Sequence, residues 1–508
     1  MHALFFATAL AASFGFDAIA VPRAPLRRTV RAVVLHLLAV TFVAACVLVI
    51  TSRPVFSAGV AAAVVALTAA ISNAKFQSLR EPFVFTDLSL FSQLFSHPRL
   101  YLPFLNVGTV IAIAIGVVLL VAGCWLDRPD GPARVVAAAA ALACLLAAMP
   151  VAARLPLTLD VTLDQGRHGF FAVFVAGLVN GLRPATLRAF DAAAGTSRFA
   201  SGAPSRSPDV IVVQSESFFD IRRATSAVAP SLLSEFDRAR QEAIAHGTLA
   251  VPAWGANTMR TEFAVLTGIP SERLGYARFY PYAFLRKACP SLAGWFRRGG
   301  YMTRAIHPYY ADFFGRDRVF PLMHFDAFMD IRSFDGKLHA GQYVADAAVA
   351  DAIIDALDAP REQPVFIFAM TMENHGPLHL ESVAAGEAAR YHSLGEGAEW
   401  RDLTAYLRHL DNANRMIGRL LDHLRHSGRE TIVCFYGDHV PAIGHVFDTL
   451  GVTPDRSDYF VWRNDVRADI GAQDIRAEDL GRVLMSAVTY SNEPRVCDRD
   501  ALAKSERA

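Results

Sequence analysis

Four side chains of this 508-residue chain could together hold one divalent cation: Glu216, Thr258, Asp438 and His439. Two carboxylates, an imidazole and a hydroxyl suit manganese, magnesium or zinc. The hydroxyl gives the set its chemical point. A threonine alcohol is a poor nucleophile at neutral pH, and metal coordination favours its alkoxide. Thr258 falls where residues 254–263 turn from loop into helix. Ala264, Val265 and Leu266 carry that helix on, and Gly268 with Pro270 stops it. Free N–H groups and the dipole at a helix start favour an anion. A nearby imidazole could protonate a leaving oxygen or hold a phosphate oxygen.

Taken singly, each residue has a plainer reading. Thr258 could be an N-cap, and Asp438 with His439 a turn. Glu216 could be a surface carboxylate or a helix cap. His307 and His375 could be hydrogen-bonded structural histidines. Arg316 could pair with Asp312 or Asp317. The combination is more specific than its members.

The elements that must position these groups can be read from hydrophobic periodicity. Residues 209–213, 302–306, 365–370 and 431–436 read as buried strands. Residues 231–245, 343–357 and 400–426 have helical periodicity. Alternating strands and helices predict an α/β domain with a mostly parallel central sheet covered on both faces. The four strands end in Glu216, in His307, in the segment carrying His375, and in Asp438 with His439. Open α/β sheets bind ligands at that edge. Four such endings in one domain predict a single site.

Ahead of this domain the chain is apolar. Mean hydropathy is +0.29, and the surplus lies in the first third. Residues 4–21, 32–50, 55–71, 107–126 and 135–151 each approach the roughly 20 residues that a spanning helix needs. Four arginines at 23–31 favour a cytoplasmic position for that loop by the positive-inside rule. Five spans with a cytoplasmic N-terminus would instead place the large domain outside. Residues 73–102 read as an interfacial anchor, and 168–182 as a helix lying on the membrane. The expected organisation is a transmembrane domain at 1–155, a juxtamembrane segment and linker at 156–208, a catalytic domain at 209–496 and a tail at 497–508. A net charge of +1 gives no reason for a nucleic-acid partner. The six cysteines form no CxxC pair, so neither a zinc knuckle nor a dense disulfide framework is expected.

The motifs carry a resemblance. Val213 to Phe218 in sequence, Asn257 and Thr258 with Thr261, Glu262 and Phe263, the run from Glu373 to Pro377, and Gly437, Asp438 and His439 are similar to the lipoteichoic-acid synthase / phosphoglycerol transferase family. That family belongs to the alkaline phosphatase/sulfatase superfamily. The similarity extends to the N-terminal spans, including Leu79, Arg80, Glu81 and Pro82.

The resemblance implies a manganese-type site on Glu216, Thr258, Asp438 and His439, with magnesium or zinc as alternatives. It implies a glycerophospho-threonine intermediate on Thr258. His307, Arg316 and His375 match positions that hold the glycerol-phosphate group. Phe314 stands where the Gram-positive synthases usually have Trp, and Tyr309 where they have a polar residue. Sulfatase chemistry is disfavoured, because its Cys or Ser nucleophile is followed by Pro and Arg at fixed spacing. The implied donor is a phospholipid head group, phosphatidylglycerol, met at the bilayer. The implied acceptor is an envelope glycan or a glycerol-phosphate hydroxyl. Such a donor places the domain on the extracytoplasmic side of the cytoplasmic membrane. A phosphoethanolamine transferase or phosphodiesterase on the same scaffold is the alternative. A catalytically silent envelope-binding protein is the other.

Overall fold

The structure is a computed structural model that describes residues 2–25, 27–90, 93, 96–98, 107–131, 133–465 and 471–489. The expected tail at 497–508, including Cys497, lies outside the described residues.

Five apolar helices stand where five spans are expected: α1 His2–Ala18, α2 Val30–Thr51, α3 Pro54–Leu79, α4 Val107–Leu126 and α5 Ala133–Ala153. Among the described residues, α2, α3 and the part of α5 from Arg134 onward are long and apolar enough to cross a membrane, whereas α1 and Val110–Leu126 are shorter. Small residues let the helices approach closely. Ala45 of α2 packs on Ala137 and Ala141 of α5. The arginine loop is partly neutralised, since Arg28 donates to the buried Asp17 of α1.

Two segments expected at the membrane surface make extensive contacts with protein. Helices α6 Val161–His168, α7 Phe170–Gly181 and α8 Pro184–Ala194 follow the bundle. The expected surface helix at 168–182 is mostly α7. Its Ala172 and Ala176 are buried against Leu35 and Ala148, so one face of α7 packs on the bundle. α7 and α8 meet at a 71° bend. Of the expected interfacial anchor at 73–102, residues 91, 92, 94, 95 and 99–102 lie outside the described residues, and the part through 90 packs against protein. Residues through Leu79 extend α3, and Phe83, Val84 and Phe85 are buried beneath the soluble domain. Hydrophobic rings there find protein partners: Phe83 stacks on Phe174, and Phe85 packs edge-on against Tyr276 and Phe279.

The soluble domain is α/β, as expected. Its strands are β1 Asp209–Ser215, β2 Ala245–Ala250, β3 Met302–Ile306, β4 Ala327–Met329, β5 His339–Ala340, β6 Tyr343–Val344, β7 Val365–Met370, β8 Thr431–Gly437, β9 Arg456–Arg463 and β10 Ile475–Arg476. Eight form one sheet in the order β10-β2-β9-β8-β1-β7-β3-β4. All pairings are parallel except those of β9, which runs against both β8 and β2. β5 and β6 form a separate hairpin.

Alternation along β1 explains the two cores. Val210 and Val212 face one apolar cluster, while Ile211 and Val213 face the other. The first side is covered by α10 Thr258–Thr267 and α13 Ala477–Thr489, through Phe263, Val265, Leu480 and Leu484. The second is covered by α9 Ser234–Glu242, α11 Asp346–Asp358 and α12 Arg401–Arg425, through Phe236, Ile353, Leu403 and Leu410.

Candidate active site

The four central parallel strands β8, β1, β7 and β3 are neighbours, so their C-terminal ends lie along one edge. Glu216 follows β1, Asp438 and His439 follow β8, His375 lies beyond β7, and His307 follows β3. Glu216, Thr258, His307, Arg316, His375 and Asp438 line one cleft.

The β1 and β8 ends are locked by backbone geometry. Ser217 takes a left-handed φ of 53°, turning the chain sharply after Glu216. Its N–H donates to Asp438 Oδ1 at 2.8 Å, and the His439 N–H donates to the same oxygen at 2.8 Å. Gly437 permits this close approach, because a side chain there would lie 1.9 Å from the Phe218 carbonyl oxygen. With Oδ1 fixed by two amides, Asp438 Oδ2 is buried with no hydrogen-bond partner. A buried anionic oxygen left this way is a group that wants a cation.

The imidazole is oriented toward the same point. His439 Nδ1 lies 3.0 Å from the Val440 carbonyl oxygen, which can only accept, so Nδ1 carries the proton. Nε2 then presents its lone pair 3.4 Å from Asp438 Oδ2, 3.6 Å from Glu216 Oε1 and 3.4 Å from Thr258 Oγ1. One ligand atom each from Glu216, Asp438 and His439 lies within 4.8 Å of the others. Burial, and then the Asp438 charge, push the Glu216 carboxyl above its ordinary value, which a bound cation would offset. Two carboxylates crowded around an imidazole lone pair are a donor set that fits one divalent cation.

Thr258 is the first residue of α10, after Asn257 in a left-handed conformation with φ 65°. The helix is pinned to the β8 end by Thr261, whose hydroxyl donates to the Asp438 carbonyl at 2.7 Å. The hydroxyl of Thr258 therefore sits beside the ligand cluster and at a helix N-terminus.

A second group of residues forms the polar wall opposite. Arg316 is 1 % exposed and pairs with Glu262, donating through Nη2 at 2.9 Å and Nε at 3.1 Å. This replaces the alternative partners Asp312 and Asp317. Arg316 Nη1 donates to His307 Nε2 at 3.2 Å. Burial first, then the Arg316 charge, hold His307 well below its usual pKa, so it stays neutral. His375 Nδ1 donates to the Gly376 carbonyl at 2.7 Å, which leaves its Nε2 as an acceptor. Burial keeps His375 below its ordinary value too.

Phe314 does not line the cleft, whereas its neighbour Phe313 does. Phe314 has a φ of 57° and lies under the Arg316 guanidinium, 5.3 Å from its ring centre. Tyr309 packs edge-on against Phe313 at 5.2 Å.

Sequence reasoning passed over Glu262 as a site residue. It lies one helical turn after Thr258, so α10 carries both the hydroxyl and the carboxylate that holds Arg316. Gln214 and Tyr282 donate to the same carboxylate. The i, i+4 spacing from Thr258 was the available signal.

An α/β domain with this edge, behind a bundle of apolar helices, defines a membrane-anchored member of the alkaline phosphatase/sulfatase superfamily. The chain belongs to the sulfatase family, whose model matches residues 208–490, more than half its length. It is 30% identical over 452 residues, 81% of this chain and 78% of the relative, to the capsular polysaccharide biosynthesis protein RkpI of Rhizobium meliloti. It is 31% identical over 245 residues to a putative cyclic beta-1,2-glucan modification protein of the same organism, covering 48% of this chain and 37% of that one. Among solved structures, the lipooligosaccharide phosphoethanolamine transferase EptA of Neisseria meningitidis shares the fold. The match covers 95% of each chain at a TM-score of 0.55 and 11% identity.

Proposed function

We propose that this protein is a membrane-anchored phosphoglycerol transferase, moving the glycerol-phosphate head group of phosphatidylglycerol to an envelope polysaccharide through Thr258. The observation that carries the reading is the placement of Thr258 Oγ1 at a helix N-terminus, 3.4 Å from His439 Nε2, in a cleft shared with Arg316, His307 and His375.

Glu216, Asp438, His439 and Thr258 would hold the divalent cation, manganese being the preferred ion, with magnesium or zinc in reserve. Such an ion supplies a lowered hydroxyl pKa and a counter-charge for phosphate. The chain's own groups do the rest. Thr258 Oγ1 forms a bond to phosphorus, and the bond from phosphorus to the diacylglycerol oxygen breaks. The hydroxyl proton ends on that leaving oxygen, and His375 Nε2 is placed to relay it. In the second half an acceptor hydroxyl attacks phosphorus, the Thr258 ester breaks and Thr258 regains its proton. Arg316, held rigid by Glu262, and the α10 N-terminus offset phosphate charge.

The cleft chemistry favours glycerol over ethanolamine. Among the described lining residues, the carboxylates are Glu216 and Asp438, both assigned to the ion. None is left to pair with an ammonium. The polysaccharide acceptor takes its support from the 30% identical relative, a capsular polysaccharide biosynthesis protein. A phosphatidylglycerol donor used for envelope glycans is met on the outer leaflet, which supports an extracytoplasmic catalytic domain.

The test is mass spectrometry of the full-length protein in phosphatidylglycerol vesicles with manganese. A glycerophosphate adduct on Thr258, absent in Thr258→Ala, is expected. Diacylglycerol release by Thr258→Ala would defeat the reading. Faster release from phosphatidylethanolamine would replace glycerol phosphate with phosphoethanolamine.

A further inference from the structure

The membrane part does more than tether the catalytic domain. Helix α3 ends at Leu79, and Arg80 turns the chain in a left-handed conformation with φ 51°. The three residues Leu79, Arg80 and Glu81 then meet both flanks of Thr258.

On the side after Thr258, Glu81 accepts both terminal nitrogens of Arg260, with Nη2 at 2.9 Å. Arg260 is two residues beyond Thr258, in the first turn of α10, and is 7 % exposed. Its Nε donates to the Phe279 carbonyl at 2.9 Å. Glu81 is itself held by Lys75 Nζ of α3 at 2.9 Å, and Lys75 also reaches Asp87 at 2.7 Å. Two cations and two anions close the network. Burial alone would raise the Glu81 pKa, but Arg260 and Lys75 hold it below the usual carboxylate range.

On the side before Thr258, the Arg80 guanidinium lies over the Trp254 ring, 4.8 Å from its centre. Arg80 also donates to Asp448 and to the Gly444 carbonyl. Gly255, with φ 68°, comes against Leu79: a Cβ there would lie 3.5 Å from Leu79 Cδ2.

The metal-ligand candidates Glu216, Asp438 and His439 are set by strand ends. Thr258 is set by a loop and the first turn of a helix, the part of a helix that frays most readily. We propose that Glu81, backed by Lys75, is a positioning residue: the membrane part clamps the Thr258 segment against the strand edge, and the nucleophile keeps its register only while that clamp is closed. A bidentate arginine–carboxylate pair is suited to this because it fixes direction as well as distance.

The inference rests on the proposed transfer reaction for its kinetic arm only. The test compares full-length wild type with Glu81→Gln and Glu81→Asp in vesicles. Glu81→Gln is expected to lower kcat for head-group transfer about 10–100-fold with KM within about twofold, since a displacement near 1 Å can cost on the order of 100-fold. Glu81→Asp restores the charge and is expected to recover part of the loss. Hydrogen exchange on the same proteins is expected to speed up at the amides of residues 254–260 in Glu81→Gln and to stay unchanged in β8. Should Glu81→Gln fail to fold, Arg80→Ala breaks the opposite arm at a more exposed place, with the same exchange change expected at 254–257. Unchanged exchange in residues 254–260 in the folded variants, or a lowered melting temperature with kcat intact, overturns the clamp. If wild type transfers no head group, the transfer reading falls while the exchange measurement still decides the clamp.

Discussion

Glu262 and Arg316 form a buried ion pair, at 2.9 Å and with side-chain exposures of 0% and 1%, between the helix that Thr258 begins and the wall of the cleft. Neither charge has water to fall back on. Removing one partner of such a pair strands the other, at about 3–5 kcal/mol. Glu262→Gln is therefore expected to lower stability by roughly 3 kcal/mol in thermal unfolding of the detergent-solubilised protein. The double variant Glu262→Gln with Arg316→Gln is expected to be more stable than Glu262→Gln alone, because no charge is left unpaired. A double variant no better than the single one would show that Arg316 does not depend on Glu262.

The orphaned Asp438 Oδ2 yields a prediction for metal. An ion that binds only the folded state stabilises it by about 2.7 kcal/mol at 100 times its Kd. Manganese is expected to raise the melting temperature of wild type and a chelator to reverse it. Asp438→Asn is expected to lose most of that response. An Asp438→Asn protein that responds like wild type would remove Asp438 from the site.

Gly437 makes a steric prediction. Gly437→Ala would place a methyl 1.9 Å from the Phe218 carbonyl, a backbone atom just beyond the turn that follows β1, which must shift. The expected cost is about 1–3 kcal/mol, the range for overpacking a tight interior. The shift falls next to Asp438 and His439, so the manganese-induced gain in melting temperature should shrink with it. Full metal response in Gly437→Ala would show that the turn tolerates the change.

His409 predicts a pH dependence away from the site. Its Nδ1 lies 2.9 Å from Glu373 Oε1. Burial pulls its pKa down, but the hydrogen bond to Glu373, and the Glu373 and Glu381 charges, the latter 3.8 Å from Nε2, overcome this and lift it to about 9. The folded state thus holds this proton more tightly than the unfolded chain, whose histidine titrates near 6.5. The stabilisation is complete below about 6.5, declines between 6.5 and 9, and is absent above. At about 1.4 kcal/mol per unit its ceiling is on the order of 3 kcal/mol. The melting-temperature gap between wild type and His409→Gln should narrow as pH rises from 6.5 to 9.5. A gap that is constant or widens would contradict the pairing.

The α/β class, the apolar helices ahead of it and the four central strands can all be read from the chain without its fold. These follow from local periodicity: strands buried on both faces must be apolar throughout, as Val210 to Val213 and Val365 to Met370 are. Thr258 at a helix start was legible for the same reason, through Gly268 and Pro270 beyond it. Strands β2 and β9 were not. β9 buries Asp458 and Arg463 beside its apolar residues, and their partners Arg223 and Asp465 are needed to make that burial acceptable.

Which charges meet is fixed by packing across the whole fold. Arg316 has acids at 312 and 317 within a few residues, yet it pairs with Glu262, 54 residues away. Glu81 reaches Arg260 across 179 residues. Ion pairs are selected by which side chains the fold dehydrates together, and dehydration is a property of packed elements, not of neighbours along the chain. The stretch at 73–90 shows this most plainly: its aromatic and charged residues carry the composition of a membrane-surface segment, but packing beneath the α/β domain sets Glu81 against Arg260 and Phe85 against Phe279.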